Sequence, residues 1–161
     1  LGYLAWLGAK PESGQVVAIP ADYQTHVEIG TLLTYPSNPP AGGRHYGQEF
    51  DKGFFDEASL PSRPGDLDGY LVHNLEHGYV IFWYNCAKLD ETACTNLKSQ
   101  IKTVMAAKNN FKLIAVPRKS IDAPLVMTSW GRRQRFEQFD AGLARAFIEN
   151  NLNHSPEPNA E

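Results

Sequence analysis

The chain reads as an α+β protein, a single domain with a mostly antiparallel sheet, packed helices and a long Pro/Gly-rich loop. Three observations predict this. Short β-rich runs alternate with polar residues, two longer stretches repeat apolar residues at helical spacing, and one region carries proline and glycine too often for regular helix. At 161 residues and 42% hydrophobic content, the chain can bury one full core and has little room for two substantial domains. The expected organisation is an N-terminal segment over 1–24, a histidine-rich α+β domain over 25–157, and a tail over 158–161.

Leu1 to Ala9 is apolar and begins without methionine, which suits a buried terminal segment or the edge of a removed anchor. Gln15–Ile19 and Thr31–Tyr35 read as short strands on either side of polar residues around His26. Residues 36–66 read as mostly irregular, anchored by Phe50, Phe54 and Phe55 and bearing His45. Pro64-Gly65 breaks the chain, Asp66 or Asp68 can cap a helix, and Gly78 sits where a helix-terminating glycine belongs, so a helical turn is expected over His73–His77.

Tyr79–Tyr84 is a continuous β-rich run and the expected central strand. Residues 90–108 predict a helix, with Leu97, Ile101, Val104 and Met105 forming one apolar stripe. Strands are expected over 111–116 and 124–130. Phe136, Phe139, Leu143, Phe147 and Ile148 predict an amphipathic helix over roughly 133–152, with the basic run Arg132-Arg133-Gln134-Arg135 as its solvated start. Ser155–Pro158 reads as a tail.

A net charge of −3 and a pI near 6.0 argue against a dedicated nucleic-acid binder, which concentrates basic excess on one face. No stretch reaches the ~18 to 20 apolar residues of a membrane helix. Cys86 and Cys94 are the only cysteines. Their separation allows a disulfide, which implies an oxidising compartment, or two separate thiols; it matches neither the short zinc pattern nor the redox dithiol pattern.

The histidines carry the functional signal. Of five, four fall between positions 26 and 77, and imidazole is the commonest protein metal ligand. His73 and His77 can share an ion only on a helix, because in a strand they would stand roughly 13 Å apart. His45 arrives from the Pro/Gly-shaped loop and His26 from the preceding connection, so four neutral imidazoles could surround one ion. Zinc fits imidazole; copper fits also and binds more strongly in the divalent series. Met127 could add a thioether suited to Cu(I), although an apolar strand routinely buries methionine. Each histidine also has a plain structural reading as a hydrogen-bonding loop or helix residue, and His154 lies beside the Pro-rich tail, away from the cluster. Glu76 is expected to point away from the His73/His77 face and to orient a ligand or make a structural hydrogen bond.

The same pentapeptide, His73-Asn74-Leu75-Glu76-His77, satisfies the H-x-x-E-H pattern of a zinc hydrolase with glutamate as general base, which would need a third ligand such as Glu137 or Glu149. No nucleophile elbow surrounds Ser59, Ser62 or Ser129, and no Gly-rich strand-to-helix segment marks a phosphate site.

Several ordered segments resemble the bacterial domain of unknown function 3105 family: His26, Tyr35, the loop Pro39-Pro40-Ala41-Gly42-Gly43-Arg44-His45-Tyr46, Leu71–Gly78, Ser129-Trp130-Gly131-Arg132 and Ser155-Pro156-Glu157. The family loop often looks like Pro-Pro-Thr-Ser-Gly-Pro-His, so Ala41-Gly42 and Arg44 depart from it while His45 keeps its place. The resemblance implies an exported or membrane-tethered domain and a histidine-rich metal site, without an assigned activity.

The leading expectation is therefore an extracytoplasmic copper-binding protein for storage, delivery or sensing, with His26, His45, His73, His77 and Met127 around the ion and no catalytic residue. Zinc is the alternative ion. A zinc-dependent hydrolase using His73, Glu76 and His77, and a metal-free interaction module, are the alternative functions. The partners expected are the metal ion, a copper-trafficking protein and a membrane tether upstream of the chain; nucleic acid is not among them.

Overall fold

A computed structural model describes residues 13–161; the expectation for Leu1 to Ala9 lies outside the described residues. The order is β1 (Gln15–Val16), β2 (His26–Val27), β3 (His45–Tyr46), β4 (Gly53–Phe54), α1 (Leu67–Glu76), β5 (Val80–Tyr84), α2 (Glu91–Ala107), β6 (Leu113–Pro117), β7 (Leu125–Ser129), β8 (Arg132–Phe136) and α3 (Ala141–Asn151). Six strands form one sheet in the order β1-β8-β7-β5-β6-β4, while β2 and β3 pair separately.

The sheet is mixed, which corrects the mostly antiparallel expectation. β5 runs antiparallel to β7 but parallel to β6, and β6 is parallel to β4. The cause is α2: a helix between β5 and β6 carries the chain back across the sheet, and such a crossover joins parallel neighbours.

β5 is central and buried throughout because both its faces are covered. Val80, Phe82 and Tyr84 pack with Leu97, Ile101 and Met105 of α2 and Ala144, Phe147 and Ile148 of α3. Ile81 and Trp83 pack on the opposite face with Tyr70, Leu71 and Leu75 of α1 and with Tyr46 and Phe50 from the long connection. Each large side chain so covered contributes roughly 1.5–3 kcal/mol. Asp90 and Asp140 cap α2 and α3 by accepting from Ala93 N (2.8 Å) and Leu143 N (2.9 Å). Cys86 and Cys94 form a disulfide that fastens the end of β5 to the first turn of α2.

Two element predictions fail. Thr31–Tyr35 is not a strand; the pairing in that region is His26–Val27 with His45–Tyr46. The helix expected over 133–152 is divided. Gly131, at φ +73°, lets the chain reverse after Trp130, so Arg132–Phe136 pairs with β7 as β8 and the helix begins only at Ala141. Phe136 reaches the core from a strand rather than from a helix. The 36–66 connection is also less irregular than expected, since it contains β3 and β4.

Candidate metal centre

The site lies on the α1 side of the sheet. Asp66 begins α1, His77 is its C-terminal cap residue, and Gly78 at φ +92° turns the chain straight into β5. His73, Glu76 and His77 therefore occupy the last turn of a helix that is almost wholly buried.

The long connection is fixed against this helix. Asn74 Oδ1 accepts from Phe50 N at 2.7 Å, and Asn74 Nδ2 donates to Phe50 O at 3.0 Å. Arg118 grips Asp68 of α1 through both terminal nitrogens, at 2.6 and 3.0 Å, and donates to Asn38 Oδ1. Gly69 admits the Tyr46 ring so closely that a Cβ there would stand 2.4 Å from Cε2. β2 pairs with β3 in a register that sets His26 opposite His45. Loop and helix thus bring three imidazoles together: ring centres lie 4.8 Å apart for His26 and His45, 5.1 Å for His45 and His73, and 5.2 Å for His26 and His73.

Main-chain oxygens dictate which ring nitrogen faces inward. His45 Nδ1 lies 2.8 Å from Gly43 O, His73 Nδ1 lies 2.7 Å from Tyr46 O, and His77 Nδ1 lies 3.2 Å from Glu161 O. A carbonyl only accepts, so each Nδ1 carries a proton and Nε2 is the ring nitrogen turned to the cluster; in the neutral His45 and His73 rings it presents a lone pair. Such outer hydrogen bonds are the usual means of orienting a metal-binding imidazole.

Glu76 contradicts its expected direction. Its Oε1 lies 3.3 Å from His45 Nε2 and 3.9 Å from His26 Nε2. The reason is local, since residues three apart on a helix share a side and His73 and Glu76 are so spaced. Burial holds the His45 imidazole down to about 4, with the neighbouring His73 and His26 rings adding to the effect. Burial also lowers the His73 imidazole, and it pushes the Glu76 carboxyl up to about 7, aided by the adjacent Glu157. His45 Nε2 is fully buried and has no hydrogen-bond partner.

Among the described residues, three sets of donor atoms lie within 4.8 Å of one another: His26, His45 and His73; Glu49, His73 and His77; and Glu76, His77 and Glu157. The centre of three atoms so spaced is at most about 2.8 Å from each, so bonds of ~2.0–2.1 Å need shifts under about 1 Å. The cluster therefore has the dimensions of a metal-binding site. Its four imidazoles do not form one set; His77 stands with the carboxylates, its Nε2 3.3 Å from Glu157 Oε2.

Met127 is not brought to the cluster. Alternation along β7 turns it to the opposite face, where it is buried with Phe82 and Leu113 on the α2 and α3 side. Three carboxylates were not anticipated as ligands. Glu76 was signalled by its spacing from His73, and Glu157 by the Ser155-Pro156-Glu157 motif; nothing in the local sequence marks Glu49, whose Oε2 lies 3.7 Å from His73 Nε2. The segment read as a tail is fixed to the site, because Glu157 N donates to Glu76 O and Lys112 Nζ donates to His77 O, Asn153 Oδ1 and Pro158 O.

Fold and site together define an α+β domain with a histidine and glutamate cluster of metal-binding type, in which His45, His73, Glu76 and His77 are buried and His26, Glu49 and Glu157 are exposed. The chain belongs to the family DUF3105, described as a protein of unknown function, whose model matches residues 26–161. No curated protein and no solved structure gives a significant match.

Proposed function

We propose that this is an extracytoplasmic copper-binding domain serving storage, delivery or sensing, with the ion held by His26, His45 and His73 beside Glu76. The observation that carries the reading is the buried, unpartnered lone pair of His45 Nε2 facing the Glu76 carboxylate at 3.3 Å. Two acceptors so placed away from water repel unless a proton or a cation lies between them. Neutral imidazoles suit copper and zinc alike, and copper is the stronger binder in the divalent series. The disulfide between Cys86 and Cys94 supports an oxidising compartment, periplasmic or tethered to the outer side of a membrane. A trafficking protein that loads or unloads the ion would be the protein partner.

A second reading, a zinc-dependent hydrolase, is favoured by one observation: His73, Glu76 and His77 share the last turn of α1, and the Glu76 carboxylate lies within 4.8 Å of a His77 donor atom, as a general base beside a zinc ligand requires. Titration of untagged, chelator-stripped protein with Cu(II) and Zn(II), repeated for His45→Ala and His73→Ala, tests both. Loss of a bound copper ion in either substitution supports the proposal, and no copper response rejects it. Zinc-dependent peptide hydrolysis lost in Glu76→Gln supports the enzyme. Anomalous diffraction across the copper and zinc edges identifies the ion.

A further inference from the structure

Glu76 takes part in two donor environments at once. Its Oε1 faces His45 and His26, and its carboxylate also lies within 4.8 Å of donor atoms on His77 and Glu157. An ion seated among His26, His45 and His73 leaves His77 and Glu157 unused, because their donor atoms belong to a different set. We propose that the centre holds two cations bridged by the Glu76 carboxylate, one among His26, His45 and His73 and the second among Glu76, His77 and Glu157.

The inference rests on the metal-binding reading above and extends it. The second seat is built rather than incidental. His77 Nδ1 is engaged by Glu161 O, which leaves Nε2 as the atom facing Glu157 Oε2 at 3.3 Å. Glu157 is held by its own backbone, whose N–H donates to Glu76 O at 3.0 Å. Lys112 Nζ, buried beneath the site, ties the His77 carbonyl at 2.9 Å to the Pro158 carbonyl at 2.9 Å, so the end of α1 and the segment carrying Glu157 move as one. Ligands fixed before the ion arrives are what a preformed site requires. The unpartnered, fully buried Nε2 of His45 points at the same bridging carboxylate from the other side.

Glu49, Glu76 and Glu157 bring three carboxylates to the cluster, and Glu49 Oε2 lies 3.7 Å from His73 Nε2. The two seats also differ in chemistry. Three imidazole nitrogens suit copper, whereas one imidazole and two carboxylates suit a harder divalent ion such as zinc, manganese or iron(II).

Chelator-stripped, untagged protein is loaded with Cu(II) alone and with Cu(II) followed by Zn(II), and bound metal is counted by native mass spectrometry and elemental analysis. The expected result is two ions per chain, falling to one in Glu157→Gln and in His77→Ala, with the remaining copper lost when His45→Ala is added. With copper in both seats, the paramagnetic resonance spectrum should be broadened by the neighbouring spin and sharpen to that of an isolated Cu(II) in Glu157→Gln. Glu157 lies at the surface, so its conservative substitution tests ligation without threatening the core. One ion per chain, unaffected by Glu157→Gln and His77→Ala, overturns the bridged pair and leaves the single-ion reading intact. No ion at all overturns both.

Discussion

Phe50 and Asn74 exchange two hydrogen bonds across a buried contact, the Phe50 amide donating to Asn74 Oδ1 at 2.7 Å and Asn74 Nδ2 donating to the Phe50 carbonyl at 3.0 Å. The side chain of one helical residue thereby acts as the strand partner that this part of the connection lacks. Replacing Asn74 with alanine strands both groups of Phe50 in the interior and should cost roughly 2–4 kcal/mol, read as a lower urea midpoint. Because His45 and Glu49 lie on the freed connection, copper affinity measured calorimetrically should fall as well, although Asn74 itself binds no ion.

Glu76 makes the metal-free protein sensitive to alkali. Its folded-state value of about 7 stands above the ordinary 4.5, so its contribution to stability is complete below 4.5 and is lost as pH rises through 7. His45 works in the other sense: lowered from 6.5 to about 4, it contributes fully above 6.5 and loses that contribution as pH falls through 4. Glu76→Gln should therefore stabilise the metal-free chain at about pH 8, by on the order of 2 kcal/mol, and do little at about pH 5. Urea unfolding at the two pH values measures this; an equal effect at both would show that the buried carboxyl is not the source.

The disulfide and the metal site sit at separate parts of the fold and should respond independently. Cys86 and Cys94 are eight residues apart, and opening so short a loop by replacing both with serine should cost about 2.5 kcal/mol in the thermal or urea midpoint. Metal stoichiometry should be unchanged. A loss of bound ion in that variant at a temperature where it remains folded would contradict the independence.

Met127→Leu separates packing from ligation. Its side chain lies among Phe82 and Leu113 on the far face of the sheet, so the change should cost under about 1.5 kcal/mol and leave Cu(I) and Cu(II) affinities unaltered. Competition with a chromophoric copper chelator checks the affinities.

Much of the centre was legible in the linear sequence because it is built on local periodicity. The helical turn carrying His73 and His77, its glycine stop and the buried run of β5 all follow from short-range rules, and the structure bears them out. The failures come where tertiary contacts decide. Thr31–Tyr35 has strand-forming residues but makes no strand pairing, and Tyr35 is drawn instead to Arg44, whose carbonyl accepts its hydroxyl at 2.7 Å. Arg132–Phe136 reads as the start of a helix when phenylalanine spacing alone is followed. The turn at Gly131 makes it a strand, along which Arg135 reaches Asp122 at 3.3 Å. Glu157 sits beside Glu76 because its own N–H donates to Glu76 O and because Lys112, more than forty residues earlier, binds the Pro158 carbonyl, a meeting in space that no spacing rule predicts.

The close seat of Tyr46 on Gly69 sets how near the loop can come to the helix. Gly69 lies one helical turn before His73, and Tyr46 directly follows His45, so the gap between the two imidazole-bearing segments is gauged by the absence of a methyl group. A methyl at position 69 would stand 2.4 Å from Tyr46 Cε2, so Gly69→Ala would drive the strand bearing His45 away from the helix bearing His73 and spread the imidazoles before any ion arrives.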